Sequence, residues 1–531
     1  MAGAALLLVV AQAGAKPPPA TYSNPILYAD YSDPDVIRWG GDYFLVASSF
    51  HFSPGIPVLR SPDLVHWTIA GHVLKRLDFA PEYDMVPPFT LTDATGRPGP
   101  GLRYGEGVWA PAIRRHGGRF YVFWPTPDEG IFMATAARPE GPWSQPVKVI
   151  AGPGLEDPCP FWDDDGSAWL VHSRVGAGPL ILHRLSPDGT HVLDDGHEIV
   201  RDPKTLPVLE GPKLYKRQGW YYIFAPIGGV ETGSEVVLRS RSIHGPYESR
   251  VVLEKGSTQV QGPHQGAYVE TPSGQGWFVH FNSTGAFGRI DYLEPVAWKG
   301  GWPMIGDPIA GTDAGQPVAR HASPDARAGA DRLHLQDSDD FGAPVLGPQW
   351  ECNHNPDDRG WSLTARPGFL RLIAQSSDNL VTARNTLTQI LQGPRMVFTA
   401  RIDVSHMGEG QRAGLSMFGV RPSWIGLVRE QGETHIAYAS AGVETPGPDV
   451  QAPFVELSVD VGPDQVAHYS FRADSGAFQA FGAPSPLRFA WWKGARPALF
   501  SFRKTGAAGP PGWVDVDWVH VNHPAADGQA G

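Results

Sequence analysis

The sequence predicts an all-β chain, a five-bladed β-propeller followed by a jelly-roll β-sandwich, and three observations carry that prediction. Gly (63) and Pro (52) are abundant and charged residues make up only 18% of the 531 positions, while long amphipathic helical patterns are scarce. A turn followed by a strong aromatic and β-branched strand recurs five times: GDYFLVASS from Gly41, GRFYVFWP from Gly118, GSAWLVHSR from Gly166, GWYYIFAP from Gly219 and GQGWFVHFN from Gly274. After Trp302 this pattern stops, and a different set of short alternating strands begins near Asp337.

Each copy of the repeat is preceded by another strand, as in DPDVIRWG, APAIRRHGG, DPCPFWDDD, GPKLYKRQG and GAYVETPSG. Several are followed by a third element ending near Trp or Pro, as in VLRSPDLVHW and FMATAARPEGPW. Copies lie about 50 residues apart, apart from a longer first interval that holds a Pro/Gly-rich insertion between Lys75 and Gly107. Up to four strands per copy at that period is the signature of propeller blades.

Residues 1–20, with an apolar run from Ala4 to Ala11 and small residues around Ala13 and Ala15, read as a signal peptide or an unstructured N-terminus. They are too short to span a membrane as a stable helix. Export to the periplasm or medium is the expectation, with a cytoplasmic location if the segment is not a signal. Residues 21–310 form the propeller, 311–336 a linker or wrapping strap rich in Ala, Gly, Asp and Pro, 337–523 the sandwich, and 524–531 a disordered tail. The two cysteines, Cys159 and Cys352, are far apart and show neither a disulfide framework nor zinc spacing, so both are expected as free thiols or small buried hydrophobes. The formal charge of −12 is spread along the chain, which excludes a nucleic-acid partner; no membrane partner is expected, and the oligomeric state, a homo-oligomer included, is left open. Eighteen Trp suit the stacking of ring faces on sugars as well as core packing.

In a propeller the first strand of every blade lines the central axis, so the start of that strand projects side chains into one shared pocket. Eight to ten residues before each repeat glycine stand Asp33, Trp109, Asp157, Glu210, and His264 with Gln265, each with a proline close by. Like charges gathered in one pocket raise one another's pKa and oppose folding, so such a cluster is retained for chemistry or a metal. Two carboxyls across a glycosidic bond are what hydrolysis requires: one donates a proton to the leaving oxygen, the other activates water or attacks directly. No Ser-His-Asp order, phosphate-cradling glycine loop or zinc ligand set competes. Asp30, Asp33 and Asp35 lie within six residues, and strand alternation would send Asp33 and Asp35 to one face; Asp33, directly before Pro, is chosen. Asp163, Asp164 and Asp165 read as a hairpin turn.

At these residues the sequence resembles glycoside hydrolase family 43, the propeller β-xylosidases and α-L-arabinofuranosidases. SDPDVIRWGGDYFLVASSFHFSPGIPVLRSPDLVHW, GVWAPAIRRHGGRFYVFW, LEDPCPFWDDDGSAWLVHSR, LEGPKLYKRQGWYYIFAP, GPHQGAYVETPSGQGWFVHF and GRIDYLEPVAWKGGWPMIGD resemble its blade motifs in order. DDFGAPVLGPQWECNHNPDDRGWSLTARPGFLRL extends the likeness into the concanavalin-like sandwich of the β-xylosidase branch, so that it covers about Tyr22 to Asn522. The resemblance implies Asp33 as general base, Glu210 as general acid, and Asp157 as the group that tunes and orients Glu210. It implies that Arg289 contacts substrate hydroxyls and helps set the acid's charge state. Phe50 and Trp109 become aromatic walls of the sugar subsite, with Gln265 beside them at the hub. His264 matches an axial histidine that faces a central calcium or other cation through water; no cofactor is required for the chemistry. Trp491 or Trp492, with Trp492 preferred, is the candidate aromatic that closes the pocket from the sandwich. Cys159 stands where the family carries a hydroxyl or small residue, which implies an altered pocket near Asp157. The expected activity is an exo-acting, inverting hydrolase that releases xylose or arabinose from xylo-oligosaccharides or arabinoxylan side chains. An endo-acting arabinanase or xylanase, or a non-catalytic carbohydrate-binding propeller, is the alternative.

Overall fold

The second strand of each repeat is an apolar run without polar relief, which requires that both of its faces be covered. The computed structural model describes residues 20–89, 99, 101–176, 178–324, 335–473 and 476–524, and shows how the covering is achieved. Five four-stranded antiparallel units follow one another in chain order, over residues 35–74, 112–151, 155–200, 213–253 and 264–305. Alternation sends neighbouring side chains of each second strand to opposite sides of its blade. Tyr43 and Leu45 pack toward blade 5 with Val279 and Leu293, while Phe44 and Val46 pack toward blade 2 with Ile113, Val122 and Trp124. Phe123 meets Leu170 between blades 2 and 3, Val171 meets Ile223 between blades 3 and 4, and Phe224 meets Phe278 between blades 4 and 5. One apolar cluster therefore fills each blade junction, and the ring closes.

The closure is locked by the chain's first described residues. Thr21–Ser23 pairs with Arg320–Ala322, the Tyr22 hydroxyl donates to the Leu293 carbonyl at 2.7 Å, and the Asn24 amide donates to the Leu293 and Val318 carbonyls at 3.0 and 2.9 Å. The described part of the segment expected as a linker is thus a strap on the propeller: Gly315–Gln316 also extends the outer edge of blade 4. The N-terminal signal expectation (residues 1–19) and the tail from 525 lie outside the described residues. No described helix is long and apolar enough to cross a membrane.

The second half forms two packed sheets. One runs Val443–Asp449, Glu433–Ser440, Ser423–Glu430, Gln411–Phe418, Arg496–Arg503, Leu387–Thr388 and Glu351–Asn353; the other is centred on Trp513–Asn522, Met396–Asp403 and Phe454–Val461. Leu415, Ile425, Leu457, Leu499 and Val516 meet between them. Cys352 and Cys159 are both buried free thiols.

The two halves share secondary structure. Phe52–Ser53 of the propeller pairs with Glu351–Asn353, adding an edge to the first sandwich sheet. Beside it, buried Glu351 accepts from Arg496 at 2.5 Å and lies 3.3 Å from Nε2 of propeller residue His72. Burial alone would raise the Glu351 carboxyl, but the Arg496 guanidinium, aided by His72, outweighs it and holds the group down at about 2. A depressed carboxyl contributes stability above its unfolded value, and that contribution is lost as pH falls through the folded value, here toward pH 2. Glu351→Gln strands Arg496 as a buried unpaired charge, so it is expected to cost about 3 kcal/mol. Thermal melts at neutral pH check this; an unchanged Tm contradicts it.

Candidate active site

Three residues at the strand entries around the hub are held in the left-handed backbone region that L-residues seldom adopt: Asp33 (φ 57°), Asp157 (φ 53°) and Gln265 (φ 43°). The ladder shifts register at Glu156/Cys159 and at His264/Gly266, which places bulges at the latter two. A bulge breaks the strand's alternation and re-aims a side chain, and strain of this kind persists only where the surroundings over-determine it. Asp33 precedes the strand Asp35–Trp39 rather than belonging to it, so alternation does not carry through. Asp35 points elsewhere, accepting from the Ile113 amide at 2.8 Å and Arg114 at 2.6 Å. Asp30 likewise faces the sandwich, where it accepts from the Gly494 amide at 2.7 Å.

These entries open into a cavity of about 190 Å³, lined by Asp33, Phe50, Trp109, Asp157, Glu210, Gln265, Arg289 and Trp492 among others. It is large enough to hold several waters and is open to solvent on one side. All residues expected at the site except His264 line this one cavity. Phe50 and Trp109 form one wall, with ring centroids 6.5 Å apart. Their segments are tied by reciprocal bonds, Phe50 N to Val108 O (2.8 Å) and Val108 N to Phe50 O (3.1 Å). Trp492, from the sandwich, stands over the Arg289 guanidinium at 5.4 Å and is 44% exposed, as a rim residue must be. Trp491 turns away and stacks on Tyr104 at 4.0 Å.

The carboxyls have distinct surroundings. Asp33 accepts from Arg289 at 3.1 Å and, through its other oxygen, from the Ser48 hydroxyl. Arg289 lines the same cavity as Glu210; its ion pair is with Asp33, and its guanidinium lies against the Phe281, Phe489 and Trp492 rings. Asp157 accepts from the Gly211 amide at 2.8 Å. A Cβ on Gly211, itself at φ +57°, would meet the Gln265 side chain at 2.9 Å, so only glycine fits between them. Burial first, and then the charge of Glu210, push the Asp157 carboxyl up to about 7, against the opposing pull of Lys213. Asp157 is thereby disposed to hold a proton near neutrality.

Glu210 lies 3.1 Å from Nε2 of fully buried His264. The contact is close but misaligned, because both ring nitrogens lack a hydrogen bond. Calcium takes six to eight oxygen ligands, whereas the ring abuts Phe281, the Gly233 backbone and Glu210. That environment does not fit direct calcium ligation by His264; it fits a water in contact with the imidazole. Among the described residues the acids that come together are Glu156, Asp157 and Glu210, all within 4.8 Å, a group that could hold a hard cation but that contains the pair just described.

Cys159 does not shape the pocket: it is fully buried between blades 3 and 4 and accepts from the Leu214 amide at 3.3 Å. Glu156 does line the pocket but was missed, because one acid per blade was sought and LEDP supplies two adjacent ones. Val175, Gly176 and Val230, on loops outside the repeat, carried no signal.

A pocket walled by aromatics, with acids on separate blades facing a common space, is the site of a glycoside hydrolase. The family model for glycosyl hydrolases family 43 matches residues 22–303, and that for the β-xylosidase C-terminal concanavalin A-like domain matches 338–522. The chain belongs to glycosyl hydrolase family 43. It is 39% identical over 477 residues to a putative β-xylosidase of Xylanibacter ruminicola, covering 90% of this chain and 85% of that one. A β-xylosidase of Formosa agariphila is 34% identical, with 95% and 90% covered. Among solved structures, a bifunctional GH43-CE protein of Bacteroides eggerthii superposes with a TM-score of 0.83 at 29% identity, over 96% of this chain and 65% of that one.

Proposed function

We propose that this hydrolase is an exo-acting, inverting β-xylosidase that removes single xylose units from the ends of xylo-oligosaccharides. The observation that carries the reading is that Asp33, Asp157, Glu210 and the sandwich residue Trp492 line one cavity; in this reading Trp492 limits it to a single sugar at that end. The names of the two relatives support the choice of xylose. In this reading Asp33, held by Arg289 and Ser48, deprotonates a water. The water attacks the anomeric carbon from one face while Glu210 protonates the departing oxygen on the other. Asp157 keeps a proton within its pair with Glu210 and fixes its side of the pocket through Gly211. Phe50 and Trp109 stack on the ring, and the unpartnered Gln265 Nε2 is free to donate to a sugar hydroxyl. A cation at the propeller centre would reach His264 only through water, and no chemical step needs it. Chelation followed by calcium addition, read as Tm, tests its presence: recovery supports it and an invariant Tm removes it.

Arabinose release is the second reading, since an α-L-arabinofuranoside presents a similar hydroxyl pattern to a pocket of this size. Paired aryl β-D-xylopyranoside and α-L-arabinofuranoside substrates test the choice. The xyloside is expected to be cleaved with the higher kcat/KM, and only monosaccharide is expected from long xylan. A preference for the arabinoside, or oligomeric products, overturns the proposal.

A further inference from the structure

The sandwich enters the active site on a two-residue hairpin. Ala490 and Lys493 exchange backbone bonds of 3.0 Å in both directions, and the two central residues, Trp491 (φ 56°) and Trp492 (φ 63°), are both left-handed. That is the geometry of a type I′ turn, which ordinarily takes Asn-Gly; two tryptophans there are strained. Something must over-determine the turn. Trp491 stacked on Tyr104 holds one side of it.

Lys493 holds the other. Its side chain is only 2% exposed, and its ammonium donates to the Asp30 carbonyl at 3.1 Å, the Asp30 carboxylate at 3.4 Å and the Ser32 hydroxyl at 3.2 Å. The Asp30 carboxylate also accepts from the backbone amides of Gly494 at 2.7 Å and Arg289 at 3.2 Å. A Cβ on Gly288 (φ +79°) would fall 2.3 Å from the Asp30 Cγ, so the approach is as close as glycine permits. The segment gripped in this way carries Asp33 one residue beyond Ser32, and the Ser32 carbonyl accepts from Ser48, whose hydroxyl binds Asp33. The charged groups in this region are Asp30, Asp33, Asp291, Arg289 and Lys493, with Arg496 and Glu351 close enough to act on Lys493. Burial and Asp30 push Asp291 well above the carboxylate range, which leaves two ion pairs, Lys493 with Asp30 and Arg289 with Asp33. Burying an ammonium is costly, and docking alone is already served by the Glu351–Arg496 pair and the shared strand.

We propose that Lys493 is a positioning residue: through Asp30 and Ser32 it fixes the strained backbone that aims Asp33, while the same hairpin sets Trp492 on the rim. The sandwich is then a component of the catalytic centre. This rests on the reading of Asp33 as the general base.

Lys493→Met keeps the aliphatic stem and removes the ammonium. It is expected to lower kcat on aryl xylosides about 100-fold, the scale of an ångström-level misplacement, with KM changed by less than about threefold. The loss is expected to be the same for good and poor leaving groups, because it acts on the attacking water. Asp30→Asn should reproduce it, and the double variant should fall no further than either single one. Glu351→Gln, which leaves the Lys493–Asp30 contacts in place, should lower Tm and cost far less kcat than Lys493→Met. If Lys493→Met does not fold, Asp30→Asn carries the test by the same readouts. A folded variant with wild-type kcat, or a loss confined to KM, overturns the proposal. Asp33→Asn is measured alongside: an active Asp33→Asn sinks the base assignment, whereas an inactive one beside a fully active Lys493→Met sinks only the positioning role.

Discussion

Glu210→Ala is expected to lose about 10⁴-fold in kcat/KM on xylobiose, and far less on an aryl xyloside whose leaving group departs without help. The split follows from the role. A sugar alkoxide is too basic to leave unprotonated, so the reaction stalls when the donor carboxyl is gone; a nitrophenolate leaves as the anion, and the missing proton matters little. Structural damage alone would lower both substrates equally. Among the described residues, Glu210 makes the misaligned contact to His264 and a backbone bond from its amide to the Pro226 carbonyl, and stands beside Asp157. Equal loss on both substrates would count against Glu210 as the proton donor.

Asp33→Asn is expected to remove about 10⁴-fold of kcat on every substrate, whatever the leaving group, since water must be deprotonated in each case. The substitution is nearly isosteric and leaves Ser48 able to hold the side chain, but it strips Arg289 of its counter-ion. Arg289 then retains the Phe281 and Trp492 rings, which keep it in place. Leaving-group series for the two variants should therefore diverge: steep for Glu210→Ala, flat for Asp33→Asn. Parallel series would mean that the roles are not divided between these two residues.

How much of this was legible in the sequence depends on range. The blades could be read because alternation and apolar character are local, and because each second strand must satisfy two neighbours at once, as Tyr43 and Phe44 do on opposite sides of blade 1. The hub acids could be read because repetition places them in register. What failed was finer. Alternation could not separate Asp33 from Asp35, since the positive φ at Asp33 ends the strand period before it begins. The ion pair of Arg289 with Asp33 had no local signal, because the strand carrying Arg289 belongs to blade 5, which meets blade 1 only when the ring closes. Lys493 was invisible: its bonds to Asp30 span 463 residues, and no periodicity marks a lone lysine after two tryptophans. Local physics sets the blades, whereas the contacts that finish the site are made between elements that the sequence pattern does not relate.

The proposed reaction is a single displacement between Asp33 and Glu210, with water attacking from the face opposite the leaving group. Its most direct test is the anomeric configuration of the first-formed sugar, followed by proton NMR during hydrolysis of an aryl β-D-xyloside. The α-anomer appearing first, with β growing only as mutarotation proceeds, is the predicted result. The β-anomer appearing first would mean retention through a covalent intermediate and would contradict the assignment.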